Sequence, residues 1–434
     1  MALVHPGESA PGAAEGGVIN LYILIIGLAL LTGCSGGGGV EPAVQNSKTV
    51  PLVQPDMLTA TPQGLLRGKA DGTGQHLILA LPDLQKETVL VSEGNVYYHR
   101  VVPVIAPFPL RDLWTVRTDG TGDRALVNNP AADEAPAAVS GPWVVYSSVL
   151  FEPGGTAISL DERWSVRVDT GQQVKLISNA STQLVAGIWG VFNDVGVLFP
   201  IHLDGTDEHG ILLHPSFDGE ESDAIIDDTL IYREVNENSG AVMLNAVKLS
   251  GGPSTSLDDG LAYTAYAGHI GLRVVTQRCE IVSTPFPHAG ACDVVSVQTD
   301  GTNRVVLASE PANEAVQGIT TNQVIIRRNL SGNDQLVAVP VGGGAEKLLM
   351  SMTDNEFVDL IVGDLIIVRR LSGTWSLDLN GTLTTLGTVV GDSGFIAVGD
   401  SVCVTKVTAV WCMPLDGSGP QVKIADDGKV VGVL

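Results

Sequence analysis

Positive charge is scarce in this sequence. Lysine and arginine total 24 against 48 aspartates and glutamates, a formal charge of −24 over 434 residues. A phosphate backbone needs a basic footprint, so nucleic acid is excluded as a ligand. No CxxC pair occurs among the five cysteines, and zinc sites of the usual spacing are therefore missing. Gly-x-Ser-x-Gly, HExxH and P-loop signatures are absent too. Long amphipathic helical patterns are lacking, which leaves an all-β chain. The apolar run Leu21–Leu31, "LYILIIGLALL", has 11 residues, too few for a spanning helix, which needs about 20.

That short run has the length of a signal-peptide core, and "TGCSGGGG" follows it at once. Leu31-Thr32-Gly33-Cys34 resembles the lipobox of bacterial lipoproteins. The resemblance implies cleavage before Cys34, lipid on its thiol, and a chain held at a membrane of the cell envelope with its domain outside the cytoplasm. One departure stands out: no Lys or Arg precedes Lys48, whereas signal peptides carry a positive n-region. An ordinary secretory signal with an incidental cysteine is the alternative. On this reading residues 1–33 are signal peptide, 34–62 are a flexible tether rich in Gly, Pro, Ser and Gln, and 63–434 are a single domain.

The stretch "LWTVRTDGTGDRAL", residues 113–126, reads as strand, tight turn and strand, with Asp119-Gly120 at the turn, two residues that can both take positive φ. The unit recurs. Trp lies five residues before the turn residue at Trp114, Trp164, Trp375 and Trp411, and weaker copies end at Asp204, Asp300 and Gly342. From Asp119 to Asp416 seven steps cover 297 residues, about 42 each, the spacing of propeller blades. Each unit also holds an earlier hairpin, as in "DDTLIYREV" and "VGDLIIVRRL", which makes four strands A to D per blade. The predicted fold is a β-propeller of four-stranded antiparallel blades, about eight, with seven to nine in range. Pairing the C-terminal "KVVGVL" with the N-terminal hairpin "LLRGKADGTGQHLIL" would close the ring and remove its exposed edges.

"LWTVRTDGTGDRAL", "VVSVQTDGTNRVVL" and "GNVYYHRV" resemble the repeats of TolB-like and YWTD-like β-propellers, over most of residues 65–434, although the "SPDG" element common in TolB repeats is missing. Such families imply binding and scaffolding more often than catalysis, and the resemblance extends to architecture alone.

Cys279, Cys292, Cys403 and Cys412 are an even set in an exported chain. Three connectivities are open, and the local pairs Cys279–Cys292 and Cys403–Cys412 are the economical choice. In an up-and-down blade the A–B and C–D turns share one face, and the B–C loops and D–A connections share the other. The D–A connections are expected to carry Asp227, Asp228, Asp258, Asp259, Asp426 and Asp427. This acidic face reads either as a docking surface for a basic partner or cationic group, or as solvated loops that keep an exported protein soluble.

Other features have structural readings. The tryptophans match the blade repeat and are expected to pack between blades. Asp119, Asp204, Asp300 and Asp416 are explained by turn chemistry without calcium. His202, Asp204, Asp207, His209 and His214 cluster in sequence without a metal-ligand spacing. The inner A strands offer His269, Asp227, Asp228 and Asp359 as the acid and base groups of a channel. The expectation is a monomeric, membrane-tethered binding or scaffold module for an unknown protein or glycan partner, without metal or cofactor and not an enzyme. The alternatives are a polysaccharide lyase or hydrolase working in the channel, and a structural envelope component.

Overall fold

In the computed structural model of the protein, the Arg117–Thr121 turn is closed by two backbone hydrogen bonds. Gly120 N–H donates to the Arg117 carbonyl at 2.8 Å, and Arg117 N–H to the Thr121 carbonyl at 2.9 Å. Gly120 has φ 84° while Asp119 stays on the ordinary side. The turn is thus type I followed by a left-handed glycine, not the doubly positive turn that Asp-Gly permits. Asp119 explains the choice: its Oδ1 accepts from Thr121 N–H at 2.9 Å and from Thr121 Oγ1 at 2.6 Å. Asp71, Asp204 and Asp300 bind Thr73, Thr206 and Thr302 in the same way. These bonds stabilise the carboxylate and lower the pKa of each of the four aspartates.

The structure describes residues 55–82, 88–102, 110–151, 158–210, 219–236, 241–258, 263–282, 288–309, 313–330, 333–353, 355–388, 393–406 and 409–434. Cys34, His214 and Asp259 lie outside them. The described regular structure is all strand. Blades 1 to 8 begin with inner strands Val89–Ser92, Ala132–Ser140, Ser181–Ala186, Gly219–Ile226, Tyr263–Ile270, Asn313–Ile319, Phe357–Val362 and Ser393–Val398. Antiparallel neighbours follow each, with three described strands in blade 3 and four in the others, and one parallel pair, Val242 with Tyr263, links blades 4 and 5 into a single eight-stranded sheet.

The ninth blade closes the ring. Lys429–Val433 supplies its inner strand and pairs antiparallel with Asp56–Thr61, which continues into Gly64–Lys69 and His76–Leu79. The protein is a β-propeller whose ends are joined. Its described strands form nine blades, the upper end of the expected range, because the closing sheet adds a blade to the eight repeats. Asp56–Thr61 falls inside the stretch expected as tether, so the propeller takes in residues before 63.

Hydrophobic clusters sit between consecutive blades. Leu58 and Leu65 of blade 9 pack with Val96, Tyr98 and Val116 of blade 1, and Trp114 joins them half-buried. Tyr97 and Leu113 of blade 1 pack with Val144, Tyr146 and Val166 of blade 2. Cys279 is bonded to Cys292 and Cys403 to Cys412, each bridge joining directly opposed residues of a B and a C strand, as the local pairing predicts.

Two bulges recur that alternation of polar and apolar residues does not reveal. On the outer D strands an extra residue sits opposite the C strand: Ile78, Leu126, Leu176, Leu307, Leu349, Leu386 and Ile424. All seven are buried, because the bulge turns an outer-edge side chain back into the space between blades. On the inner A strands the extra residues are Ala137, Gln183, Asp223, Ala267, Gln317, Asp359 and Gly394.

The D-strand bulge carries a register test. Leu349 is 6% exposed and its neighbour Leu348 is 52% exposed. Leu349→Ala should cost roughly 2–5 kcal/mol. Leu348→Ala should stay within about 0.5 kcal/mol in the same denaturant titration. Reversed costs would place the strand one residue out of register.

Candidate functional site

The sorting of acidic residues by face is corrected at two positions. Asp227 and Asp228 form the A–B turn of blade 4, between Gly219–Ile226 and Thr229–Val235, and so lie on the face opposite the D–A connections. Asp227 takes φ 54° there, and Asp228 pairs with Lys248 at the C–D turn of the same blade. Asp258, Asp426 and Asp427 do lie in D–A connections. Asp258 Oδ2 accepts from Leu244 N–H at 2.8 Å, and Asp426 pairs with Lys423.

Several neighbouring acids serve the inside of the ring. Glu134, Glu220, Glu314 and Glu356 are all buried. Glu220 Oε2 reaches across to blade 3 and accepts from Leu198 N–H at 2.8 Å. Glu356 accepts from Thr353 N–H at 2.6 Å and pairs with Arg370 at 2.6 Å. Such carboxylates replace a water shell with backbone donors, and that holds an inner strand to its surroundings. Basic residues late in the B strands neutralise others: Arg233 binds Asp223 at 2.8 Å and Arg369 binds Asp359 at 2.8 Å.

On this face a cleft of about 440 Å³ opens between blades 3 and 4, lined by Gln183, Asn193, Gly196, Glu220, Glu221, Ser222, Arg233 and Val235. Its size suits a small ligand or a side chain. The blade 3 wall is the two-residue turn Val195-Gly196, with φ 49° and 83°. A β-branched residue in that conformation is strained, and Val195 stands 94% exposed at the lip. The turn is tied to blade 4: Glu220 N–H donates to the Gly196 carbonyl at 2.8 Å, and Asn193 Nδ2 to the Glu220 carbonyl at 2.7 Å.

The blade 4 wall depends on the A-strand bulge. A straight register from the Asp227-Asp228 turn would set Glu221 opposite Glu234. The extra residue Asp223 moves Glu220 opposite Glu234 and Glu221 opposite Arg233. Arg233 then binds Glu221 at 3.1 Å as well as Asp223. Burial pushes Asp223 up to about 6 against the pull of Arg233, and pushes Glu220 up to about 7, helped by the charge of Glu234. Glu220 Oε1 and Ser222 Oγ are buried without a hydrogen-bond partner.

Further along the inner wall, Tyr266 of blade 5 is hydrogen-bonded to His269 Nδ1 at 2.7 Å. Desolvation lowers the His269 pKa and raises that of Tyr266, with the negative charges of Asp227 and Asp223 acting on the two in turn. The structure thus brings His269 and Asp227 into one neighbourhood, with Tyr266 as the partner that sequence reading missed, and places Asp359 with Arg369 in blade 7. On the opposite face, His202 and His209 surround Trp189, with ring centroids 4.0 and 6.3 Å away, and His202 Nδ1 lies 3.1 Å from Asp207. Among the described residues no three His, Cys, Asp or Glu side chains are grouped to hold a metal ion.

No family model and no curated protein matches the chain. Solved structures do. A prolyl endopeptidase structure, from work on two such enzymes and the role of inter-domain dynamics, is 13% identical with a TM-score of 0.41 over 76% of this chain and 53% of that one. The β-propeller domain of the Trilobed protease from Pyrococcus furiosus is 8% identical, TM-score 0.38, over 79% and 98%. The acylaminoacyl peptidase of Pyrococcus horikoshii is 11% identical, TM-score 0.39, over 66% and 51%. This chain spans about half the length of the prolyl endopeptidase and the acylaminoacyl peptidase. The likeness is one of fold. The three solved structures are of peptidases or a domain of one, and the expectation that the chain is not an enzyme is withdrawn.

Glu134 gives the pH test of the buried carboxylates. It is 1% exposed, and burial raises its pKa to about 8, with Asp112 adding to the rise and backbone N–H groups of Leu113 and Asn129 opposing it. A carboxyl raised in the folded state binds its proton more tightly there than in the unfolded chain. Its contribution to stability is therefore full below the unfolded value of about 4.5 and fades as pH rises to about 8. Glu134→Gln should remove on the order of 2–4 kcal/mol of that fall when unfolding is compared at pH 5 and pH 8.5. An unchanged pH slope would show that Glu134 ionises normally.

Proposed function

We propose that the protein is an exported, lipid-anchored β-propeller that recognises a basic polypeptide on the face carrying the B–C turns and D–A connections. The observation that carries this reading is the acidic cleft between blades 3 and 4, where Glu220 and Glu221, backed by Asp223, meet one arginine, Arg233. A surplus of carboxylate in a partly enclosed cleft concentrates cations and speeds their encounter. The lipobox-like Leu31-Thr32-Gly33-Cys34 supports the anchor, since each buried acyl CH₂ contributes ~0.8 kcal/mol and two or more chains hold a protein on a membrane without a spanning helix. Recognition of this kind serves a scaffold and a peptidase-type hydrolase alike.

Two measurements test the reading. Cys34→Ser should move the chain from the membrane fraction to the soluble fraction, and continued retention would remove the anchor. A synthetic peptide of alternating lysine and glycine should bind the purified chain more weakly as salt rises past physiological strength, where the screening length is about 8 Å. Glu221→Gln combined with Asp427→Asn should slow its association, while Asp119→Asn with Asp204→Asn on the opposite face should not. Equal loss from both pairs, or an affinity indifferent to salt, would leave the acidic residues with solubility alone.

A further inference from the structure

The blade 4 surface that faces blade 3 is apolar over most of its extent: Leu230, Tyr232 and Val247 pack on Val191 and Leu198. At its cleft end it turns polar. Glu220 and Ser222 lie two apart on one strand before the bulge, so their side chains share a face. Glu234 stands directly opposite Glu220, bound by Asn245 Nδ2 at 3.0 Å. The charge of Glu234 acts on Glu220 across the strand pair. Glu220 is 1% exposed, lines the cleft, and keeps Oε1 without a partner, as Ser222 keeps Oγ. A buried polar atom left unpaired is costly, so these two point to a donor that the described residues do not supply.

The donor's chemistry follows from what is left open. Glu220 Oε2 is committed to Leu198 N–H, so one carboxylate oxygen is available. A guanidinium presents a planar fork that matches both oxygens of a carboxylate, whereas an ammonium is a compact charge with three rotatable donors. A metal ion would need a set of ligands that the described residues do not group together. Val235 in the lining offers apolar surface to a methylene stem, the part of a lysine side chain that packs on such surface.

We infer that the cleft takes the primary ammonium of a lysine side chain, with Glu220 Oε1 and Ser222 Oγ as its acceptors and the stem leaving past Val235. This deepens the reading of the face as a site for a basic polypeptide and rests on it. The step is non-covalent: the ammonium donates two hydrogen bonds and keeps its charge.

The test uses the purified full chain and Nα-acetyl-lysine methylamide, followed by isothermal titration calorimetry at pH 8. Saturable binding is expected, with Glu220→Gln weakening it about tenfold or more and Ser222→Ala a few fold, as charged and neutral hydrogen bonds would do. The norleucine analogue should not bind, which separates the ammonium from its stem. The arginine analogue and glucosamine should bind at least about tenfold more weakly, which separates lysine from other cations. Unchanged lysine binding in Glu220→Gln, in protein that melts like the parent, would overturn the inference, as would equal binding of norleucine, arginine or glucosamine probes. If the lysine-glycine peptide still associates in a salt-dependent way with Glu220→Gln at full affinity, the inference falls while the recognising face stands. Loss of peptide binding to the parent chain, with the lysine probe still held, would remove the face instead.

Discussion

Everything in this molecule hangs on one strand pairing, that of Lys429–Val433 with Asp56–Thr61. A blade is a small antiparallel sheet with two bare edges and two apolar faces, and alone it would bury neither. Closing the ring by a strand from the far end of the chain gives each blade two neighbours. Val431 and Leu434 then pack with Val89 and Val91 of blade 1, while Val430 and Val433 pack with Val398 and Cys403 of blade 8. The closing strand is therefore clamped on both sides, and the ring is a single cooperative object instead of an open stack.

Closure also explains the bulges. An inner strand must turn its own face towards the axis while its neighbours in the sheet twist outward, and an extra residue is the local device that bends a strand without breaking its ladder. In blade 4 that device has a chemical consequence: Asp223 takes the extra place, Arg233 is captured by Asp223 and Glu221, and Glu220 is displaced to face Glu234. In blade 7 the same position holds Asp359, and Arg369 binds it. Blade 4 differs because it keeps two carboxylates opposed beyond the captured arginine, and because the turn of blade 3 leans over them.

The propeller ring and its acidic cleft are parts of one frame. Wherever the partner or substrate comes from, the ring offers a rigid frame, and the two strand walls of the cleft are tied by hydrogen bonds from the Glu220 N–H to the Gly196 carbonyl and from the Leu198 N–H to the Glu220 carboxylate. A site held this way changes little on binding, so the ordering cost is small and the affinity depends on charge and fit.

Strand, turn and period were legible in the residues themselves, because each is local. Asp119-Gly120 and its copies mark turns by their own side-chain bonds, the spacing of Trp114, Trp164, Trp375 and Trp411 counts blades, and the cysteines pair within hairpins. Ring closure could be anticipated from the orphan strand at the C-terminus. Asp227 and Asp228 fall in an A–B turn and not a D–A connection, a distinction that the residues do not show because an Asp-Asp turn and such a connection look alike until the strands are paired. Glu220, Ser222 and Tyr266 carried no signal: their meaning comes from a one-residue shift in register and from the neighbouring blade. The repeat and its four strands are written in local residues, since hydrogen bonding within a hairpin needs only residues a few positions apart. Which carboxylates are paired, buried or left open is settled by the folded ring, since that depends on bulges and on contacts between blades far apart in the chain.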